Sequence, residues 1–307
     1  MSKLEEYNQY LTAKGYSTET TTGAMSIASK FLAWIKEQGI EITTINYNDI
    51  TAYIKSNQQR NIKTRTVQHI AINVKHYLNY LVEAGVITHN PALALQIKNA
   101  KRNTVYNILT NEELENIYKA YKAELPLQTK APPQTLNKLA RKRNKVLLGL
   151  LIYQGIATDD IKNIELSHLD LREGKIIIPG TKRSNERTLK LEPHQIFEFY
   201  DYINETRKEI LKLTKRESKK LFISIGTGNK VHNALQKLTN EIKQQNPSVE
   251  NLHQIRASII TNWLKVHNKR KVQYMAGHRY VSSTEAYEAN NIEALQEDVE
   301  KFYPVLS

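Results

Sequence analysis

The chain of 307 residues contains no cysteine. That absence excludes disulfides, thiolate metal sites and cysteine nucleophiles together. No apolar run approaches a membrane span or the hydrophobic stretch of a signal peptide, and the opening Met1-Ser2-Lys3-Leu4-Glu5-Glu6 is polar. A cytoplasmic protein with no membrane partner is the expectation. Internal repeats and low-complexity tracts are missing too. None of the nine histidines forms a pair with convincing metal-ligand spacing, so no metal is expected.

Acidic residues are in deficit: 31 Asp+Glu stand against 44 Lys+Arg, a formal net charge of +13. An excess of that size favours phosphate binding through counterion release, blind to sequence and dependent on salt. A basic surface kept for solubility is the bland alternative. The length suggests about two domains, each able to bury its own core.

The first ninety-odd residues read as four helices. Leu4, Tyr7, Tyr10 and Leu11 recur at helical spacing before Gly15. A second helix starts at Thr18 and carries Ile27, Phe31, Trp34 and Ile35 to Gly39, and Asn48-Asp49 reads as the cap of a third. The longest spans Thr64 to Glu83, with Val67, Ile70, Val74, Tyr77, Leu78 and Leu81 inward; Gly85 and Asn90-Pro91 close it. Domain one is therefore placed at 1–97, a linker at 98–107 and a second domain at 108–307. The linker cations Lys98, Lys101 and Arg102 are either solvated charge or, in a DNA clamp, contacts to a phosphate backbone.

In the second domain Thr110 and Glu113 form a capping-box pattern. A proline-bearing loop covers 125–135, and an apolar helix follows from Val146 to Tyr153. Lys175 to Ile178 and Thr188 to Leu191 read as short strands around a charged turn. The rest is mostly helical, giving a fold that is mainly α with a small antiparallel β-sheet in the C-terminal domain.

Chemistry concentrates near the C-terminus, in His253-Gln254-Ile255-Arg256, Gly277-His278 and Tyr287. An arginine fork fits two phosphate oxygens, histidine adds a donor or base, and a tyrosine oxygen can attack phosphorus. The H-x-x-R spacing puts His253 and Arg256 on one helical face. This ordered set resembles the tyrosine recombinase (phage integrase) family. The resemblance implies an N-terminal helical core-binding, SAM-like domain and a catalytic domain that together clamp duplex DNA. It implies site-specific recombination or integration by a mobile-element integrase, through a 3′-phosphotyrosyl intermediate without cofactor. Tyr287 would be the nucleophile, Arg256, His253 and His278 the phosphate-handling groups, and Lys182, in the turn between the strands, the donor to the leaving oxygen. Arg183 and Arg187 of that turn would contact DNA. The tail residues Ile292, Leu295, Val299 and Phe302 form one apolar helical face. By resemblance that face docks on the next protomer of a synaptic tetramer, and accessory DNA-bending proteins are possible partners.

One departure stands out. The family pattern G-L-R-x-x-E corresponds to Gly155-Ile156-Ala157-Thr158-Asp159-Asp160, so Ala157 replaces a phosphate-clamping arginine while Asp160 retains the acid. Lys162, Arg183, Arg187 and the Arg141-Lys142-Arg143 cluster are the candidate substitutes. Two alternatives stay open: a recombinase-derived DNA-binding protein that regulates or assists without cutting, and a type IB topoisomerase, which shares the chemistry.

Overall fold

The computed structural model describes residues 3–97, 106–122, 134–226 and 231–288. The chain divides into two compact units, Met1–Thr104 and Val105–Ser307. Lys98, Lys101 and Arg102 of the expected linker lie outside the described residues. So do the tail helix through Ile292 to Phe302 and most of the proline-bearing loop.

The first unit contains helices α1 (Lys3–Ala13), α2 (Thr18–Glu37), α3 (Tyr47–Gln59) and α4 (Thr64–Glu83). Their apolar faces converge on one core of Tyr7, Phe31, Ile35, Ile50, Val74, Tyr77, Leu78 and Leu81. Asn46, not Asn48-Asp49, caps α3. Its side-chain oxygen accepts from Asn48 N at 2.8 Å, and Asp49 accepts from Asn46 N at 2.9 Å. The capping box thus begins two residues earlier than the sequence suggested, with Asp49 as its reciprocal member.

The second unit opens with α5 (Asn111–Ala120), capped by Thr110 and Glu113 as the pattern predicts. Helix α6 spans Gln134–Tyr153, twelve residues longer at its start than the apolar run beginning at Val146. The basic segment around Lys138–Lys145 hides its period. Leu139 nonetheless packs with Ile210 and Ile223, and buried Arg143 donates to Ile223 O at 2.7 Å. A one-turn helix α7 (Thr158–Ile161) leads to strands β1 (Leu169–Asp170), β2 (Lys175–Ile178) and β3 (Arg187–Lys190).

The sheet is antiparallel in the order β1-β2-β3, with Ile176 opposite Leu189 and Ile178 opposite Arg187. The two-residue β1 escaped the sequence reading because it is too short to show alternation. Ile176, Ile178 and Leu189 face the main core with Leu147, Leu151, Phe199 and Ile255. Fully burying one such side chain contributes ~2 kcal/mol. Helices α8 (Pro193–Asp201) and α9 (Arg207–Thr214) are joined by a π-helical turn, Tyr202–Thr206. Then come α10 (His232–Gln245), α11 (Leu252–Val266), α12 (Lys269–Ala276) and α13 (Ser282–Glu285). Among the described residues no helix is long and apolar enough to cross a membrane.

Candidate active site

Helix α11 carries the H-x-x-R pair and is held on several sides. Asn251 caps it, accepting from Gln254 N at 2.9 Å. Gln254 Nε2 donates to Asn107 O at 2.9 Å, Leu109 N donates to Ser258 Oγ at 2.9 Å, and Asn262 Nδ2 donates to Leu109 O at 3.0 Å. These bonds set the rotation of the helix, with Arg256 facing inward. His253, one turn earlier, stays exposed.

Arg256 donates to Gly155 O through Nη1 and to Ala276 O at 2.7 Å through Nη2. Gly155 is the close approach that permits this. Its φ is +53°, and a Cβ there would lie 2.9 Å from Trp263 and 3.0 Å from Ile259 of α11. Burial pulls the Arg256 pKa down, while the Tyr287 hydroxyl, then Asp160, favour its charged form and Arg187 opposes it. Arg256, Tyr287 and the Asp160–Arg187 pair are therefore electrostatic neighbours.

His278 follows the left-handed Gly277 that ends α12. Its Nε2 lies 3.3 Å from Arg256 Nη2 and its Nδ1 lies 2.9 Å from Thr284 Oγ1. Arginine only donates, so Nε2 accepts and the ring proton resides on Nδ1, directed at Thr284. Burial, then the Arg256 and Arg187 charges, lower the His278 pKa to about 4. The ring is neutral near pH 7.

Tyr287 stacks on His278, with ring centroids 5.6 Å apart and planes 9° from parallel. It packs on Ile260, Val272 and Ala276, and Thr261 Oγ1 donates to its carbonyl at 3.4 Å. The single turn α13 lies between His278 and Tyr287. Buried Thr284 holds that turn against His278 and so presents the tyrosine to the site.

Arg187 departs most from expectation. The sequence placed it on the DNA-contacting surface, but it is 2% exposed. Nη2 pairs with Asp160 Oδ2 at 2.8 Å, Nε donates to Met275 O at 3.0 Å and Nη1 donates to Asn185 O at 3.4 Å. A direct phosphate contact from this position is corrected to a buried ion pair. The other candidate substitutes for the missing arginine sit elsewhere. Arg141 pairs with Glu241 at 3.4 Å, Arg143 is buried on Ile223, and Lys162 pairs with Asp159 at 3.4 Å. Lys182 and Arg183 are exposed on the β2–β3 turn.

That turn is docked on the His278 loop. Ser184 and His278 form a β-bridge, and Asn185 N donates to Gly277 O at 2.9 Å. Arg256, His278 and Tyr287 thus converge with the lysine-bearing turn beside them. A buried cation, a nucleophile-capable hydroxyl and a histidine whose Nε2 faces that cation can, within one cluster, bind and attack a phosphate.

Comparison with known proteins gives this arrangement its context. Residues 107–293 match the model described as "Phage integrase family", and residues 4–85 match "Phage integrase, N-terminal SAM-like domain". The chain belongs to the phage integrase family of tyrosine recombinases. Among curated relatives, the tyrosine recombinase XerC of Oceanobacillus iheyensis is 22% identical over 278 residues, covering 89% of this chain and 86% of that protein. XerC of Listeria welshimeri is 25% identical over 309 residues, 98% of each chain. Among solved structures, XerH recombinase bound to a palindromic difH substrate in a post-cleavage complex gives a TM-score of 0.70 at 17% identity, covering 97% of this chain and 84% of that one. A lambda integrase dimer on a COC′ core site gives 0.62 at 17% identity, with 94% and 77% covered. These likenesses establish the two-domain fold of the family for this member.

Sequence reasoning overlooked Arg187 as a buried group, and Ser184 and Thr284 altogether. A signal for the first existed. Alternation along β3 puts 187 on the inward parity of Leu189, but a strand begun at Thr188 leaves that residue out.

Proposed function

We propose that this chain is a site-specific DNA recombinase that cuts and rejoins duplex DNA through Tyr287. Its family membership makes site-specific recombination by the tyrosine recombinase reaction its function. The observation that supports Tyr287 as the reacting residue is its place in the same buried cluster as Arg256 and His278 of one chain. The Tyr287 oxygen attacks phosphorus, a P–O bond forms, and the P–O5′ bond breaks. Lys182 gives its proton to the departing 5′-oxygen, and the tyrosine proton passes to His253. Arg256 balances charge on the non-bridging oxygens, and His278, protonated at Nε2 once the anion raises its pKa, donates to the same phosphate. A 5′-hydroxyl of the partner strand then attacks the phosphotyrosine and restores the diester.

Double-stranded recombination sites are the partner, in a synaptic tetramer of this chain, with DNA-bending proteins as possible accessories. Lys98, Lys101, Arg102 and Arg183 add phosphate contacts. The encoding DNA is a mobile element, and the protein acts in the cytoplasm. Ala157 lowers the rate rather than abolishing the reaction, because Arg256 and Lys182 remain. The direct trial is incubation with nicked suicide substrates spanning the DNA that borders the gene. A covalent protein–DNA adduct supports a cutting enzyme. Specific binding without an adduct on any such substrate supports a DNA-binding regulator instead.

A further inference from the structure

We infer that Ser184 is a positioning residue for Lys182, tying the turn that carries the lysine to the buried carboxylate of Asp160. The inference rests on Lys182 acting as the proton donor described above.

Five hydrogen bonds close the turn and tie it to Asp160. Thr181 N donates to Ser184 O at 2.8 Å, while Thr181 Oγ1 accepts from Arg183 N at 3.1 Å and from Ser184 N at 3.0 Å. The hydroxyls of Thr181 and Ser184 are 2.9 Å apart, and Ser184 Oγ lies 3.2 Å from Asp160 Oδ1. A carboxylate only accepts, so the single Ser184 proton goes to Asp160. Thr181 must then give its proton to Ser184 Oγ. Every hydroxyl proton in the turn has one direction.

The anchor itself cannot move. The side chains of Asp160 and Arg187 are 3% and 0% exposed, and the other carboxylate oxygen is held at 2.8 Å by Arg187 and at 3.4 Å by Ala157 N. Asp160 therefore takes three donors from three segments. Ser184 is also bridged to His278, so the residues flanking Lys182 are fixed to both the α7 segment and the histidine loop. The lysine stem remains exposed, but its point of attachment is set. A proton donor must lie within hydrogen-bond reach of the leaving oxygen, and a displacement near 1 Å costs on the order of 10²-fold.

The test uses the full chain and a nicked duplex carrying the cleavage site mapped with the parent protein. One version has the ordinary scissile diester and the other has sulfur in place of the bridging 5′-oxygen. A thiolate leaves without protonation, since a thiol pKa is about 8.5, so that substrate does not need the lysine. Lys182→Ala should lose roughly 10²-fold or more on the oxygen substrate and recover on sulfur. Ser184→Ala should lose about 10-fold to 100-fold on oxygen and recover to within a few-fold on sulfur. Ser184→Thr, which keeps the hydroxyl, should restore the oxygen reaction. If Ser184→Ala fails to fold, Ser184→Cys, whose thiol is only a weak donor to Asp160, is read in its place.

Equal loss on both substrates, or none on oxygen, overturns the positioning role while Lys182 recovery on sulfur leaves the lysine assignment standing. Failure of Lys182→Ala to recover on sulfur overturns the lysine assignment and this inference with it.

Discussion

Arg256 and Arg187 donate to adjacent carbonyls at the end of α12, Ala276 O at 2.7 Å and Met275 O at 3.0 Å. Two cations on the C-terminal carbonyls of one helix offset its dipole there and fix the loop that begins at Gly277. Only one of them is neutralised by a buried acid. Removing Arg187 by Arg187→Gln strands Asp160 in the interior, and loss of one partner of a buried pair costs about 3–5 kcal/mol. Urea denaturation should show a loss of this size. A change under about 1 kcal/mol would mean that Asp160 is relieved by other donors.

Gly277 should tolerate no side chain. Its φ is +71°, and a Cβ would stand 2.3 Å from Arg187 Nη1. Left-handed backbone strain plus overpacking predict a loss of about 2–4 kcal/mol for Gly277→Ala. Cleavage should fall with it, because the same residue orients His278. A variant with parent stability and parent cleavage would refute the packing account.

His278 makes stability depend on acid. Its folded pKa is about 4 against an ordinary 6.5, so between those values the unfolded chain binds more protons. Stability should be full above about pH 6.5 and fall as pH drops through 4. Replacing the ring by His278→Gln should flatten that part of the curve. An unchanged slope from denaturation at a series of pH values would assign the effect to other groups.

Much of this architecture is readable from residue order, for physical reasons that differ by element. The helices α2 and α4 bury one continuous stripe each, and the Thr110–Glu113 cap is a local signal. Arg256, His278 and Tyr287 share a motif spacing that survives folding. Arg187 and Asp160 lie 27 residues apart and meet only through the β-hairpin, so neither shows in local pattern that the other neutralises it. The start of α6 hides for a related reason: Arg143 is buried by a carbonyl eighty residues away.

In the proposed reaction Ala157 stands where the resemblance places a clamping arginine, and that position has the largest expected kinetic consequence. Arg187 has no exposed donor and is paired with Asp160, so it does not replace an arginine fork on the phosphate. Ala157→Arg should raise cleavage on the order of 10²-fold, as about 3 kcal/mol of added transition-state stabilisation implies. A scissile methylphosphonate, which removes one oxygen charge, should narrow the gap between parent and variant. A neutral or harmful Ala157→Arg would show that another native cation already fills the place.

In the proposed reaction Tyr287 becomes bonded to DNA. Trapping the adduct on a nicked suicide substrate, digesting it and locating the nucleotide-bearing peptide by mass spectrometry tests this most directly. The modified residue should be Tyr287, and Tyr287→Phe should bind the same DNA with parent affinity while forming no adduct. An adduct that persists in Tyr287→Phe, or one mapped to a different side chain, would contradict the account.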